Sequence, residues 1–389
     1  MGGTSGWVKV MARQQLPAGI TKVEVANRRT GKREPRWRVQ INVGNGSDRH
    51  QVRRSFTTEK AARDFLDETR GSVAAGTYVR GSRRTVDTAI DDWLTSKHRI
   101  KASTRRGYKV TLQVVRDELG KVELQKLTKR DVDDLVTALR AGRVEGRKKF
   151  SPRSVNQMLG LLIQVLATEQ RQGHVVRNVA ELVDKVPSDP KKFRTLTETE
   201  ILRILDHKCR DGHLWTLALY GLRRGEIAGL RWVHVDLVKG TVRIAENRVY
   251  AGDGNYVVDT PKSRASARTL PLPADVVTVL KAAKKNQQRE RLALGEAYQG
   301  GDYVACDEAG EPYTPGLLTF RWGKMLDDLG IDRVRLHDAR HSCATLMHLK
   351  GQPIAVIAAW LGHSSAAFTM SVYAHSQGDA LKAAGESFR

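Results

Sequence analysis

The sequence predicts an α+β protein of several domains, and three observations lead to that expectation. The chain has 389 residues, which is more than a single domain usually contains. Polar and apolar residues alternate with a period of two, as in strands, in two stretches near the N-terminus and in two stretches beyond residue 239. Most other segments show helical spacing of apolar residues. We therefore expect a small β-hairpin and helix module, a helical bundle, and a mainly helical domain with a small antiparallel sheet.

Two linkers mark the expected domain boundaries. The stretch RGSRR at 80–84 and the stretch VPSDPKKFRT at 186–195, which contains two prolines, interrupt the periodic patterns. We therefore expect domains at residues 1–84, 85–186 and 187–389.

The first domain begins with two predicted strands, RWRVQINV at 36–43 and RHQVRRSF at 49–56, which are joined by the turn GNGSD. A helix follows, with Thr57 or Thr58 as its N-cap. We expect the outward face of the hairpin to be rich in arginine and to contact DNA. The arginines expected on this face include Arg36, Arg38, Arg53 and Arg54.

The second domain is predicted to be a bundle of about four helices with basic loops. Two of them carry clear N-terminal signals: Thr128 with Asp131 forms a capping box, and the last helix opens with Ser-Pro and closes with Gly. The helical segments are predicted at 89–94, 103–115, 127–142 and 151–173.

The charge of the chain indicates a polyanionic partner, of which DNA is the most common. The net charge is +23 and the isoelectric point is about 10.1, with an excess of +11 in residues 1–84, +7 in 85–186 and +5 in 187–389. No apolar run approaches the roughly 18 residues of a membrane span, and the first residues lack the apolar core of a secretory signal. The three cysteines form no CxxC pair, which argues against a zinc finger and fits a reducing cytoplasm.

The third domain places polar groups where its apolar pattern would otherwise require core residues. The motif GLRRGE carries Arg223 and Glu226 three residues apart, which is a common spacing for a surface ion pair on a helix. Lys262 lies in TPKSRASART between two predicted strands, where a lysine is normally exposed. Each feature therefore has a structural explanation when taken alone.

Three further motifs follow in the same domain. His337 and Arg340 are three residues apart and so share one face of a predicted helix. His341 lies four residues beyond His337, but no third ligand accompanies this pair, so we do not expect a zinc site. His363 follows Leu-Gly at a predicted helix end, and Tyr373 stands in VYAH ten residues later.

In this order and spacing, the motifs resemble those of the tyrosine recombinases, in particular the integrases of phages and integrative elements. The resemblance covers the whole third domain, and the order of the first two domains is similar to that of the arm-binding and core-binding domains of the family. Tyr220 and Ala339 depart from the usual pattern, in positions that affect packing rather than chemistry. The resemblance implies a catalytic site of six residues, Arg223, Lys262, His337, Arg340, His363 and Tyr373.

The resemblance also implies the chemistry, which is site-specific DNA recombination with neither cofactor nor metal ion. Tyr373 would attack the phosphorus and form a 3′-phosphotyrosyl bond that preserves the energy of the phosphodiester. The two arginines would neutralise the non-bridging oxygens, while His337 accepts the phenolic proton. Lys262 would protonate the departing 5′ oxygen, and His363 would donate a hydrogen bond to a non-bridging oxygen.

The same resemblance implies the partners. These are double-stranded attachment sites and further copies of the chain, assembled as a tetramer on two duplexes. An excision factor and a DNA-bending host protein assist many relatives that have an arm-binding domain. We expect no membrane partner and a location in the bacterial cytoplasm, at the nucleoid when the protein is bound to DNA.

Four alternatives remain open at this stage. A type IB topoisomerase shares the chemistry, but two N-terminal DNA-binding domains favour specific sites over general relaxation of supercoils. A resolvase or an invertase would use the same active site. A non-catalytic DNA-binding regulator would not need the tyrosine, and a metal-dependent nuclease would lose activity when treated with a chelator.

Overall fold

The computed structural model describes residues 15–26, 31–44, 49–188, 194–252, 254–259 and 266–363. The chain divides into two units, one of residues 1–99 and 108–188 and the other of residues 100–107 and 189–389. The predicted α+β class is confirmed, because helices dominate and the described strands pair in small antiparallel sheets. The finer division into three domains stays a prediction. None of the described helices is long and apolar enough to cross a bilayer.

The first unit opens with a three-stranded sheet of β1 (Ile20–Ala26), β2 (Arg33–Val43) and β3 (His50–Phe56), in that order. Helix α1 (Glu59–Ala74) packs on one face and begins at Thr58, whose side chain accepts a hydrogen bond from the Ala61 amide. The small core between them contains Ile20, Val39, Ala62 and Leu66. Strand β1 was not predicted from the sequence.

The expected arginine face of this sheet needs one correction. Neighbouring residues of a strand point to opposite faces, so Arg53 and Arg54 do not lie together. Arg53 pairs in register with Gln40 and donates to the Gln51 side chain over 2.7 Å, on the polar face. The Arg54 guanidinium lies over the Phe65 ring of α1, 5.2 Å from its centroid, so the prediction that Arg54 belongs to the outward face was wrong.

The other described α-helices of the first unit are α2 (Val86–Thr95), α4 (Lys129–Ala141), α5 (Pro152–Arg171) and the part of α3 (Ala102–Leu119) from residue 108 onwards. The capping box predicted at the start of α4 is confirmed, with both of its hydrogen bonds present. The predicted linker at 80–84 is attached to the bundle at its last residue, since Arg84 donates to the buried Glu169 carboxylate at 2.6 and 2.9 Å. The 3-10 turns in this unit are Leu124–Lys126 and Val179–Leu182.

The second unit begins with α6 (Glu198–Asp206) and ends, among the described residues, just beyond α12 (Ile354–Leu361). A capping box of Thr197 with Glu200 starts α6, as predicted. The amide of Leu196 donates to Ser342 Oγ over 2.9 Å, which fixes the start of α6 to a later helix. The helices between them are α7 (Gly212–Leu219), α8 (Arg224–Gly229), α9 (Ala274–Leu294), α10 (Pro315–Asp328) and α11 (Leu336–Leu349).

The strands of the second unit form two small antiparallel sheets. The first consists of β4 (Val235–Asp236), β5 (Thr241–Ile244) and β8 (Arg268–Pro271), and the second is the hairpin of β6 (Asn247–Gly252) and β7 (Asn255–Asp259). The stretch predicted as a strand at 240–249 contains both β5 and β6, which a two-residue break separates, and the stretch predicted at 255–273 contains both β7 and β8. Complete 3-10 turns in the described part of this unit lie at Trp232–His234 and Gly295–Ala297.

Helix α8 packs closely against the start of β6. A Cβ at Gly229 would lie 2.9 Å from the Arg248 backbone nitrogen, and a Cβ at Gly225 would lie 2.0 Å from Asn247 Oδ1. These glycines are four residues apart and so share one face of the helix. Their missing side chains allow the helix that carries GLRRGE to pack directly against the hairpin.

Candidate active site

The turn between α7 and α8 determines where the first site residues lie. Gly221 has a φ of +97°, a conformation that residues with a side chain rarely adopt, and a Cβ there would lie 3.0 Å from Leu361 Cδ2 and 3.3 Å from Cys343 Sγ. The turn leaves Arg223 at the N-cap position of α8. A glycine is thus required where the chain passes close to both α11 and α12.

Arg223 and Glu226 form the ion pair that their spacing predicted, but it is not a surface pair. Arg223 donates from its backbone nitrogen to Glu226 Oε2 over 2.9 Å and from Nη1 to Oε1 over 2.7 Å. The Glu226 side chain is 4% exposed, whereas that of Arg223 is 31% exposed. The carboxylate therefore anchors a guanidinium that still reaches the surface.

Arg340 explains why the apolar face of α11 carries a charge. The residue is 2% exposed, and it lies on the buried face with Leu336, Ala339 and Cys343. Its Nη1 donates to the Gly221 carbonyl over 2.6 Å, and its Nη2 donates to the Leu361 carbonyl. Burial and the neighbouring Arg223 guanidinium lower the pKa of Arg340 to about 9, so it remains a cation at neutral pH.

A third guanidinium, which was not predicted from the sequence, is that of Arg268; with Arg223 and Arg340 it forms the arginine cluster. Arg268, whose side chain is 7% exposed, donates from Nη1 and Nη2 to the two oxygens of Glu226 at 3.0 Å each. Its Nε donates to the Trp360 carbonyl over 2.6 Å. Burial opposes ionisation of Glu226, but the bonds and charges of Arg268 and Arg223 outweigh it and hold the pKa of that carboxyl below its usual range.

The three guanidiniums converge on the last turn of α12. Arg268, Arg340 and Arg223 donate to three consecutive carbonyls, those of Trp360, Leu361 and Gly362 respectively. Cations are stabilised there, because a helix presents its unpaired carbonyls and the negative end of its dipole at the C-terminus. The helix ends at Gly362, which has a left-handed φ of +62°.

Two histidines of α11 lie beside the cluster. The His337 ring meets the His341 ring edge-on, with centroids 5.2 Å apart. Partial burial of the ring, His341 and Arg340 lower the pKa of His337 to about 4, and burial is the main reason that the pKa of His341 is lowered. Both imidazoles are therefore neutral at physiological pH, and each can accept a proton on one ring nitrogen.

His363 follows the glycine that ends α12. Its backbone nitrogen donates to the Ala358 carbonyl over 2.9 Å, which fixes the residue directly beyond the helix. Partial burial together with the charges of Arg340 and Arg223 lowers the pKa of His363 to about 4. A neutral imidazole here can donate one hydrogen bond towards the cluster side of α12.

The structure thus brings together four of the six residues expected in the catalytic site: Arg223, His337, Arg340 and His363. The other two, Lys262 and Tyr373, lie outside the described residues. Lys262 belongs to the segment that follows Asp259 at the end of β7, and Tyr373 lies ten residues beyond His363.

Neither the Tyr220 phenol nor the Cys343 thiol is activated as a nucleophile, and the described residues offer no metal cage. Tyr220 is the described tyrosine nearest in sequence to Arg223, but its hydroxyl donates to the Pro271 carbonyl over 2.7 Å and burial raises its pKa. Burial raises the pKa of the Cys343 thiol to about 11, so the thiolate is not populated at neutral pH. Within the described ranges, no group of three histidine, cysteine, aspartate or glutamate side chains is arranged to hold a metal ion.

The cluster contains three guanidiniums and one carboxylate in a largely buried setting. A buried charge is costly unless it is paired, so a surplus of cations of this kind is suited to an anion that arrives from outside. Guanidiniums bind phosphate through planar, bidentate hydrogen bonds, and neutral imidazoles beside them can move protons. The arrangement can therefore stabilise a phosphoryl group whose charge increases during a reaction.

Comparison with known proteins agrees with this chemistry. Residues 194–379 match the model of the phage integrase family. A tyrosine recombinase XerC-like protein of Caldanaerobacter subterraneus is 24% identical over 369 residues, covering 87% of this chain and 92% of that protein. An integrase of Streptomyces ambofaciens is 28% identical over 361 residues, covering 88% and 90% of the two chains.

Solved structures share the fold. The Tn1549 transposon integrase, in complex with transposon right end DNA, superimposes with a TM-score of 0.65 at 18% identity, over 78% of this chain and 99% of that chain. A lambda integrase tetramer bound to a Holliday junction gives a TM-score of 0.57 at 16% identity, over 93% and 96% of the two chains.

The buried arginine cluster lies within the part of the chain that matches the phage integrase family. That match covers residues 194–379, just under half of the chain, and the two relatives that align with most of the chain are a tyrosine recombinase XerC-like protein and an integrase.

Proposed function

We propose that this protein is a tyrosine recombinase of the integrase type. It would cut and rejoin DNA at specific attachment sites through a covalent bond between Tyr373 and a 3′ phosphate, and so integrate and excise a mobile element. The observation that carries the proposal is the surplus of guanidiniums over carboxylates around Arg340. Because both its Nη atoms are held by carbonyls, the guanidinium is fixed before a substrate arrives. Preorganised charge of this kind stabilises a transition state without reorganisation during the reaction.

The proposed nucleophile is the phenol of Tyr373, which lies outside the described residues. Tyr373 is the tyrosine of the motif VYAH, and it follows His363 in a chain that leaves α12 at the cluster. A phenolate is a good enough leaving group to be displaced later, so the covalent link retains the energy of the phosphodiester bond.

The remaining groups have distinct roles in the proposal. Arg223 and Arg340 neutralise the non-bridging oxygens, and His363 donates a hydrogen bond to one of them. His337, which is neutral at physiological pH, accepts the phenolic proton. Lys262 protonates the departing 5′ oxygen, so that side-chain cations carry out the work that metal ions perform in many other phosphoryl transfers.

DNA is the substrate, and we expect the polar face of the N-terminal sheet to add contacts with it. That face carries Arg38, Gln40, Asn42 and Arg53, which are residue types that bind phosphates and the edges of guanine and adenine. The lambda integrase relative was solved as a tetramer on a Holliday junction, and we propose a tetramer on two duplexes here as well. An excision factor and a DNA-bending host protein are further proposed partners, and the bacterial nucleoid is the proposed location.

The test is covalent trapping. A footprint over the junctions between element and host defines the site, and denaturant-resistant protein–DNA complexes are then counted on a nicked duplex that contains it. We expect Tyr373→Phe to bind this duplex with unchanged affinity and to form no covalent complex. Tyr220→Phe is the matched control, because it removes a described phenol whose hydroxyl bonds to a backbone carbonyl, and it should still form the complex.

Covalent complexes with the Tyr373→Phe variant would overturn the proposal. Equal relaxation of plasmids with and without the site would replace site-specific recombination with a type IB topoisomerase activity. Loss of activity on adding a chelator would instead indicate a metal-dependent nuclease.

A further inference from the structure

We propose that Arg268 is a positioning residue for the strand-transfer reaction, which keeps Arg223 available to the scissile phosphate by sharing the charge of Glu226. This inference rests on the proposed function and extends it to a residue outside the six catalytic candidates. It is supported by the contacts of Arg268, by its burial and by the charge balance of the cluster.

The first argument is the number of partners that Arg268 connects. It lies at the start of β8, and its guanidinium bonds to Glu226 in α8 and to the Trp360 carbonyl at the end of α12. Its Nη1 also donates to the Ser266 carbonyl over 3.1 Å, within the segment that leads from Lys262 to β8. One side chain thus links the three stretches of chain that carry, or continue into, Arg223, Lys262 and Tyr373.

The second argument is electrostatic. Glu226 accepts four hydrogen bonds, two from Arg223 and two from Arg268, and is itself almost fully buried. If Arg268 were absent, Arg223 would be the only side-chain cation bonded to the Glu226 carboxylate. The carboxylate would then neutralise the charge of Arg223 and draw its guanidinium away from the exposed side. The second guanidinium therefore leaves Arg223 only partly neutralised.

The guanidinium of Arg268 is held in a stricter geometry than an ion pair that only adds stability would require. Buried pairs are often replaced by apolar residues without loss of stability, whereas Arg268 uses all three of its nitrogens on two different elements. Lysine can supply the charge but not this planar fork.

The main experiment measures rate and binding separately. Covalent complex formation is followed in a single turnover at saturating nicked duplex, and affinity is measured by gel shift on the same duplex. We expect Arg268→Gln to slow the reaction by about 100-fold, with affinity changed by less than about threefold. The double variant Glu226→Gln/Arg268→Gln should recover at least about tenfold of that rate, because it removes the carboxylate that would capture Arg223.

The matched control is Arg243→Gln. Arg243 is an exposed arginine on β5, opposite Thr269 and so next to Arg268 in the same sheet. Its rate should stay within about threefold of wild type. If Arg268→Gln does not fold, as judged by circular dichroism, Arg268→Lys takes its place, with an expected loss of about tenfold.

A second measurement does not depend on Tyr373. Sulfate is used as a phosphate-like probe, and the shift in melting temperature that it causes is compared with that caused by chloride at equal ionic strength. We expect the sulfate-specific shift to shrink in Arg268→Gln and to persist in Arg243→Gln. A wild type that forms no covalent complex but shows this pattern would refute the proposed function. It would still support the narrower inference that Arg268 keeps Arg223 available to a phosphate-like anion.

The proposal for Arg268 is wrong under either of two outcomes. One is an Arg268 variant that reacts within about threefold of wild type. The other is an Arg268→Gln variant that reacts slowly but fails a further test. It fails if adding Glu226→Gln does not restore the rate, or if its sulfate-specific shift in melting temperature equals that of wild type.

Discussion

Arg223 and Arg340 donate hydrogen bonds to adjacent backbone carbonyls, those of Gly362 and Leu361 at the end of α12. Two like charges are thereby held close to each other by a helix end whose dipole is negative. The helix end and these two arginines form one structural unit, so a change in either should affect the other.

The first prediction concerns the shape of Arg340. In Arg340→Lys a single ammonium cannot bond the Gly221 and Leu361 carbonyls in the same geometry, although the charge is conserved. We expect the rate of covalent complex formation to fall by about 10²- to 10³-fold in single-turnover assays, with DNA affinity largely retained. Arg333→Lys is the control, because this side chain is 73% exposed and its ion pair with Asp327 lies at the surface. A rate for Arg340→Lys close to that of Arg333→Lys would remove Arg340 from the phosphate clamp.

The second prediction concerns pH and stability. The pKa of His337 and that of His363 are about 4 in the folded chain, below the ordinary value of about 6.5 in an unfolded one. The unfolded state therefore binds more protons between these values, and the free energy of unfolding should fall as the pH drops from 7 to 5.5. Urea unfolding at several pH values measures this slope. His363→Gln should flatten it, whereas replacement of the exposed His98 by glutamine should not, and an unchanged slope in His363→Gln would contradict the burial of a neutral imidazole.

The third prediction concerns the contact between α8 and β6. In Gly229→Ala the new Cβ would meet the Arg248 backbone nitrogen at 2.9 Å, and backbone cannot move aside as a flexible side chain can. We expect a loss of about 1–3 kcal/mol in the free energy of unfolding, as for other overpacked sites. Gly160→Ala in the middle of α5 meets nothing within 4 Å and should instead gain about 0.5–1 kcal/mol. Chemical denaturation of the two variants provides the comparison, and equal stabilities would refute the close approach.

The fourth prediction separates two neighbouring arginines. Arg53 lies on the polar face of the N-terminal sheet, and Arg54 stacks on Phe65 on the opposite face. If Arg53 contacts a phosphate, Arg53→Ala should reduce the slope of log affinity against log salt by about 0.9 and leave the melting temperature unchanged. Arg54→Ala should leave the salt slope unchanged and lower the melting temperature, with a loss of about 1 kcal/mol in the free energy of unfolding. Salt titrations by gel shift and thermal melts distinguish them, and identical effects would contradict the assignment of faces.

Local patterns in the sequence were sufficient to predict the features that depend on neighbouring residues. The capping boxes at Thr128 and Thr197 and the shared face of His337 and Arg340 follow from spacings of three residues, and the structure contains them. The structure also brings Arg223 and His363 to the same place, but the catalytic roles of these residues remain predictions.

Features that depend on distant partners could not be predicted in this way. Arg268 looked like an ordinary strand residue, because its partner Glu226 is 42 positions away and its other acceptor, the Trp360 carbonyl, is 92 positions away. Strand β1 was missed because residues 20–26 bury little beyond Ile20 and so lack a clear apolar alternation. Arg54 was predicted on the wrong face because it was grouped with the other arginines by composition. Side chains alternate between the two faces along a strand, so Arg53 and Arg54 cannot share one.

The unequal number of cations and anions around Glu226 has a practical consequence for anyone who engineers this enzyme. A search for heat-resistant variants in the absence of DNA would reward substitutions that add a carboxylate near Arg223 or remove a guanidinium, because both relieve repulsion in the empty site. Those same substitutions would discard the charge that the substrate needs, so thermal screens should be run with a polyanion present.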